Sequence, residues 1–346
     1  EEKIKNLYNF VRDKIETENT FTIVPQTTPR EVIRKGIGNR GEKNILLINM
    51  LRQAGFEAYP LLISTRGHGQ IKLNWPYLLQ FNHFLVYVKD NTQVYFLDAS
   101  EKYCPFRILP SYYLVEQGFL LTEQRSEFLK IPSPKNLNMW TCTTSAGISP
   151  EGSLNCNTEM RLEGYQALEK RKELLEEKHR KYLEEWIKNT FAQAVLDTFA
   201  ITHLENVENP LLINLTYRVP EYAQVVGENI YFTVPQITRI KKNPFKKFER
   251  KFPIDYNYPI GTTEKVTISC PEGFTIDEIP APRIGKIDGM LYFAENYTEE
   301  NQILCNRQFL VKKSVFLPNE YQSVKDFYSQ NISYEENQIV MKKIAE

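Results

Sequence analysis

The chain has 346 residues, 42% of them hydrophobic, which is room for two domains of ordinary size with sizeable cores. Lys and Arg together number 43, as do Asp and Glu, so the formal net charge is zero and no whole-chain field favours nucleic acid or an anionic membrane. No apolar run approaches the length of a membrane span. The five cysteines, Cys104, Cys142, Cys156, Cys270 and Cys305, include no Cys-x-x-Cys pair, so neither a metal site nor a cofactor is expected.

The chain opens at Glu1 without methionine and shows no signal peptide, which reads as a processed product. Residues 1–18 form an amphipathic helix, with Ile4, Leu7, Tyr8, Val11 and Ile15 on one stripe. Residues 21–29 are extended, and Pro29 sits in the first turn of a short helix. Gly36 and Gly38 then loosen the chain before a helix over 41–54. Ile45, Ile48 and Leu51 recur at helical spacing, thickened by Leu47 and Met50, and Gly55 marks the stop. Residues 39–42 therefore lie at a helix N-terminus, with free backbone N–H groups and a positive dipole. A cysteine there would have its thiolate stabilised; the residue present is Arg40. A strand over 56–64 leads into the glycine loop 65–70, which carries His68 and continues to Trp75 and Pro76. A solvated loop histidine is the plain reading of His68, and a site residue the sharper one. Strands over 83–89 and 93–98 flank a turn. Residues 102–110 close the first domain, and 112–119 read as a short helix.

The first domain spans 1–125 and the second 126–346, with Ile131-Pro132-Ser133-Pro134 as a linker. Residues 139–146 and 154–162 make a hairpin around Ser149-Pro150-Glu151-Gly152. That hairpin would set Cys142 nearer Glu159 than Cys156, so no disulfide between the two cysteines is expected. Residues 164–188 form one long helix with Tyr165, Leu168, Leu175, Tyr182 and Trp186 on a sheet face; the breaks at 171–172 and 178–179 argue against a coiled coil. Strands are expected at 195–202, 211–219, 229–234, 265–270, 289–294 and 302–311, at the spacing of a β-sandwich. Segment 243–253 is basic with interleaved phenylalanines. It reads as an ordered connection whose Phe residues pack and whose Lys residues are solvated, with contact to an anionic surface as the alternative. A last short helix covers 324–328.

Three motifs then line up. Gly38 to Ala58 resembles the Gly-x-Cys-x-Asp-Lys-x-x-Leu-Leu segment of the bacterial transglutaminase-like, papain-type cysteine hydrolases. Phe81-Asn82-His83-Phe84-Leu85-Val86-Tyr87-Val88 resembles that superfamily's Asn-His-x-x-Val strand. Tyr95-Phe96-Leu97-Asp98-Ala99 resembles the strand ending in its orienting aspartate. The resemblance covers about residues 1–120. It implies an α+β papain/transglutaminase-like domain, and His83 and Asp98 as the second and third members of a triad. The β-rich remainder resembles the C-terminal domain that follows such domains in large envelope proteins of some bacteria. It is expected to be mostly antiparallel and sandwich-like with one long helix, in a periplasmic or envelope protein.

The departure from the pattern is at the nucleophile. A thiolate must attack, a histidine must move the proton, and a carboxylate must hold the histidine tautomer. Arg40 cannot attack, because a guanidinium stays protonated. The expectation is a catalytically inactive module acting as a scaffold or binding domain. The alternative is an active cysteine hydrolase or acyl transferase using Cys104, the only cysteine of the first domain. Asn82, Trp75, His68 and Cys104 are the neighbouring cleft candidates. The expected occupant is a protein or peptide, or an anionic group drawn to Arg40.

Overall fold

The computed structural model describes residues 1–18, 20, 23–74, 77–176 and 178–344. It is a mixed, strand-rich structure with several sheets. The chain divides into two compact units, Glu1–Pro134 and Lys135–Glu346.

The first unit contains, in order, α1 (Glu2–Lys14), β1 (Glu16–Glu18), α2 (Pro29–Lys35), β2 (Ile37–Asn39), α3 (Arg40–Gln53), β3 (Glu57–Ile63), β4 (His83–Lys89), β5 (Val94–Leu97), β6 (Gln117–Leu120) and β7 (Glu127–Lys130). The last five strands form an antiparallel sheet in the order β5-β4-β3-β6-β7. Helix α3 starts where it does because Asn39 and Glu42 make a reciprocal capping box: Asn39 Oδ1 accepts from the Glu42 N–H, and the Glu42 carboxylate accepts from the Asn39 N–H. It ends before Gly55, whose φ of 89° suits glycine. Leu46, Leu47, Ile48 and Leu51 bury against α1 and the strands of the sheet. Full burial of each such side chain stabilises the fold by about 1.5–3 kcal/mol.

Two expectations for this unit change. Residues 112–119 are not one helix: a single 3-10 turn, Ser111–Tyr113, is followed by strand β6. The sheet also runs on past residue 125, because Glu127–Lys130 pairs with Gln117–Leu120. The unit therefore ends at Pro134, inside the Ile-Pro-Ser-Pro segment.

The second unit contains β8 (Asn138–Ile148), β9 (Leu154–Leu162), α4 (Gly164–Glu176), α5 (His179–Thr190), β10 (Val195–Thr202), β11 (Leu211–Val219), β12 (Gln224–Val226), β13 (Asn229–Phe232), β14 (Ile254–Asp255), β15 (Ile260–Ser269), β16 (Phe274–Glu278), β17 (Arg283–Ile287), β18 (Met290–Glu299), β19 (Gln302–Val311), β20 (Val315–Phe316), α6 (Tyr321–Tyr334) and β21 (Ile339–Lys343). An eight-stranded sheet runs β10-β11-β9-β8-β15-β19-β18-β17, antiparallel except where β8 and β15 run parallel. Alternation is strict in β9, where 154, 156, 158, 160 and 162 are buried and the residues between them exposed. One core holds side chains of α4, α5, the eight-stranded sheet and the four-stranded sheet β12-β13-β21-β16, and a second holds side chains of β18, β19 and α6.

The single long helix is two helices. Leu174 and Leu183 are both fully buried. Nine residues is about two and a half turns, so one straight helix would put them on opposite faces. The chain instead turns extended at Lys178, with ψ of 119°, and restarts, which brings both leucines to one core. Cys142 pairs with Met160 and Cys156 with Ala146, and all five cysteines are free. Segment 243–253 only half fits its expected role: Phe245 is buried, but Phe248 and Phe252 are 90% and 77% exposed. Among the described residues no helix is long and apolar enough to cross a membrane.

Candidate functional site

His83 opens β4 and Asp98 follows the end of β5, the strand paired with it. His83 Nε2 lies 2.7 Å from Asp98 Oδ2, and both side chains are fully buried. With the carboxylate ionised, Nε2–H donates to it, the tautomer that leaves Nδ1 as the acceptor nitrogen of the ring.

Three further groups hold Asp98. Asn44 Nδ2 donates to Asp98 Oδ2 at 2.7 Å and to the Phe84 carbonyl at 2.9 Å, while its Oδ1 accepts from the Ala99 N–H at 3.1 Å. The Ser100 N–H donates to Asp98 Oδ1 at 2.9 Å, and the Ser100 hydroxyl donates to the same oxygen. Burial pushes the Asp98 carboxyl up, but the hydrogen bonds from His83, Ser100 and Asn44 outweigh it and hold the group below its usual value.

Arg40 is the first residue of α3 and is itself buried, 8% exposed. Its Nη1 donates to Tyr112 Oη at 2.6 Å, Ser100 Oγ at 3.2 Å and Tyr113 Oη at 3.4 Å, and the guanidinium lies 5.4 Å from the Tyr112 ring centre. Ser100 thus links Arg40 to Asp98, and the Tyr112 hydroxyl donates to Glu101 Oε2 at 3.0 Å. The helix dipole disfavours a cation at this end by about 0.3–1 kcal/mol. Glu42, two residues on, supplies a compensating carboxylate to the same helix end.

Tyr113 covers the imidazole from one side. Its ring is fully buried and stacks on His83 with centroids 4.4 Å apart and an 11° angle between planes. Burial and the Asp98 charge push the phenol well above its ordinary value, against the pull of Arg40 and Ser100, so it stays protonated.

A second buried cation, Lys43, lies one residue before Asn44. Its Nζ donates to the Ile15 carbonyl at 2.6 Å and to Thr17 Oγ1 at 2.9 Å. Burial pushes it down to about 8, against the pull of Asp98.

The other candidates are arranged as follows. The Cys104 thiol is buried and donates to the Ile108 carbonyl at 3.0 Å, while its backbone carbonyl accepts from Tyr8 Oη and Arg12 Nη1. Asn82 braces the loop after β3: its Oδ1 accepts from the Thr65 N–H and its Nδ2 donates to Thr65 Oγ1, both at 2.9 Å. His68 is exposed, with Nδ1 3.1 Å from Ser64 Oγ. Trp75 lies outside the described residues. A cleft of about 390 Å³ in the same unit is lined by Ser64, Arg66, Gln70, Ile71, Leu114 and Glu116 and by none of His83, Asp98, Arg40 and Tyr113. Ser64 follows the residue paired with His83, and Leu114 follows Tyr113. Among the described residues no group of three His, Cys, Asp or Glu side chains could hold a metal.

Asn44, Ser100, Tyr112 and Tyr113 are the members that sequence reasoning missed. Two carried a signal. Asn44 lies one helical turn after Arg40, and Ser100 lies two residues after Asp98, the spacing of an Asx turn. The two tyrosines had none, because their place depends on the loop between β5 and β6.

Residues 228–341, about a third of the chain, match the model of a domain of unknown function with a solved structure (DUF3858). The crystal structure of a "putative protease" from Parabacteroides distasonis is similar to this chain over 99% of its length, with a TM-score of 0.53 and 13% identity. This chain covers 52% of that one, about half its length, and at such identity the likeness is one of fold. No curated protein matches the chain.

Proposed function

We propose that the first unit is a catalytically inactive transglutaminase-like module of the papain type, serving as a scaffold or binding domain in a bacterial envelope protein. The reading rests on one observation: the His83–Asp98 pair is fully buried under Tyr113, and Arg40 occupies the helix start next to it. A working pair of this type needs a thiolate at that helix start and a path for substrate to reach the imidazole. Arg40 supplies a permanent cation instead, tied to Ser100, Tyr112 and Tyr113. The order of the three motifs along the chain and the likeness in fold to a protein described as a protease support the same class.

In this reading Arg40 is a plug. It offsets the buried Asp98 charge through Ser100 and closes the place of the missing nucleophile. The Cys104 thiol, turned to the Ile108 carbonyl, does not stand in for it. What remains for binding is the cleft beside Ser64 and Leu114, where Arg66 and Glu116 present both charge signs to a peptide or protein segment.

The test is turnover of peptide substrates and of glutamine–amine transfer by wild type, His83→Ala and Cys104→Ser. The expected result is the same blank rate for all three. A rate that requires His83 or Cys104 would overturn the proposal.

A further inference from the structure

Segment 241–253 is the last part of the connection from β13 to β14 and has no helix or strand of its own. Residues 241–251 hold six cations, Lys241, Lys242, Lys246, Lys247, Arg250 and Lys251, against one carboxylate, Glu249, in a chain of zero net charge. The segment is nonetheless a built loop. Phe245 is buried against Tyr321 and Tyr328, with ring centroids 5.9 and 5.2 Å away. Asn243 Nδ2 donates to the Lys325 carbonyl at 2.8 Å and to Ser329 Oγ at 2.7 Å. The Lys247 carbonyl accepts from Tyr321 Oη at 2.8 Å and Lys325 Nζ at 3.0 Å. Helix α6 therefore pins the loop at Asn243, Phe245 and Lys247, and the rest projects.

What projects is apolar and cationic together. Phe248 is 90% exposed and Phe252 77% exposed, and Lys246, Lys247, Arg250 and Lys251 beside them are all exposed. Leu317, 53% exposed, joins them: Ile254 pairs with Phe316, so Phe252 and Leu317 leave that two-stranded ribbon at the same end. Single exposed apolar side chains are ordinary, but two phenylalanines on a pinned loop among four cations are a surface feature that needs a partner.

We propose that this loop docks the second unit onto an anionic lipid bilayer. Phe248 and Phe252 enter the headgroup layer, where aromatic rings favour the boundary between water and hydrocarbon. Lys246, Lys247, Arg250 and Lys251 meet the lipid phosphates, with their aliphatic stems lying along the interface. A bilayer suits the geometry better than nucleic acid does. Both rings stand out from the surface, 90% and 77% exposed, which suits entry into a headgroup layer better than the sandwiching of a base. The attachment is peripheral and independent of any activity of the first unit.

The test is flotation of the full chain with vesicles of phosphatidylcholine alone and of phosphatidylcholine with phosphatidylglycerol, over a salt series. Two variants accompany the wild type: Phe248→Ser/Phe252→Ser and Lys246→Gln/Lys247→Gln/Lys251→Gln. All five side chains are exposed, and unchanged thermal melting confirms that the fold is kept. Wild type is expected to float only with the anionic vesicles and to lose binding as salt rises. The phenylalanine variant is expected to partition at least about tenfold more weakly, and the lysine variant to lose the preference for anionic lipid. Absence of wild-type binding to anionic vesicles would overturn the proposal, as would binding by both variants as strong and as selective as that of wild type. Binding of a single-stranded oligonucleotide through these same residues, without vesicle binding, would reassign the loop to nucleic acid.

Discussion

The phenol ring of Tyr113 lies flat against the imidazole of His83, with centroids 4.4 Å apart and planes 11° apart. Both residues are fully buried, so the contact separates the histidine from solvent. Tyr113→Ala is expected to destabilise the protein by about 3–5 kcal/mol, the range for deleting a large buried aromatic. It is also expected to make His83 reactive to an imidazole-modifying reagent. Denaturant midpoints and mass mapping of the modified histidine check the two halves. An unreactive His83 in a folded Tyr113→Ala protein would mean that other groups seal the site.

The charge on Asp98 makes the first unit acid-sensitive. Its folded pKa lies below its unfolded value, so the unfolded chain binds the proton more readily. The stability it contributes is present above the ordinary carboxylate range, about 4, and is lost as pH falls toward the lowered folded value. Asp98→Asn is expected to flatten the acid side of the melting curve. Asp98→Ala is expected to cost about 3–5 kcal/mol at neutral pH, because it strips the partner from buried His83, Ser100 and Asn44. Thermal melting between acid and neutral pH measures both.

Lys43 gives a slope of the same sign in a higher pH window. Burial holds its pKa down at about 8 in the folded state, against an ordinary 10.5. Between those values the unfolded chain binds more protons, so stability rises with pH, by roughly 3 kcal/mol in total. Below about 8 the lysine is charged in both states and the slope vanishes. Lys43→Met is expected to remove the rise. The check is the difference in melting temperature between wild type and variant across that window.

The second unit has its own buried ionic centre. Arg307, 2% exposed, donates to Glu335 Oε1 at 2.6 Å and to Glu264 Oε2 at 3.3 Å. Arg307→Ala leaves buried Glu264 without its cation and Glu335 with only Arg239, 3.9 Å away, and is expected to cost about 3–5 kcal/mol. Adding Glu264→Gln is expected to recover part of that loss. Denaturant unfolding of the single and double variants measures the coupling.

The sequence was most legible where one short segment sets both structure and site. The preceding glycines, the apolar spacing and the glycine stop placed α3 to within a residue, and Arg40 with it. The His83 and Asp98 strands read clearly because two short apolar runs flank a turn, and they pair with each other in the sheet. Legibility failed where position depends on distant chain. Tyr113 comes to His83 from 30 residues away in sequence, across a loop without a periodic pattern. Phe245, Phe248 and Phe252 look alike in the sequence. Only the tyrosines of α6, more than 70 residues on, decide which one is buried. The helix pair α4 and α5 was readable in principle, since nine residues from Leu174 to Leu183 cannot keep one face. The dense Glu and Lys between them hid the slip.

Thiol chemistry gives a clean background for the decisive test. Burial raises Cys142 well above its ordinary value, Cys156 and Cys305 to about 12, and Cys270 to about 11. The native protein is therefore expected to resist neutral thiol reagents, with slow labelling at half-buried Cys270 only, and to label all five cysteines once unfolded.

The central claim is that the His83–Asp98 pair serves no nucleophile. The most direct measurement is intact-mass analysis, with peptide mapping, of wild type treated with an electrophilic peptidyl probe that captures active-site thiols, beside His83→Ala and Arg40→Cys. The account predicts no adduct on wild-type Cys104 and no difference between wild type and His83→Ala. If a cysteine placed at position 40 labels, that labelling is expected to depend on His83. A stoichiometric adduct on Cys104 of the wild type that disappears in His83→Ala would contradict the account and make this module a working thiol enzyme.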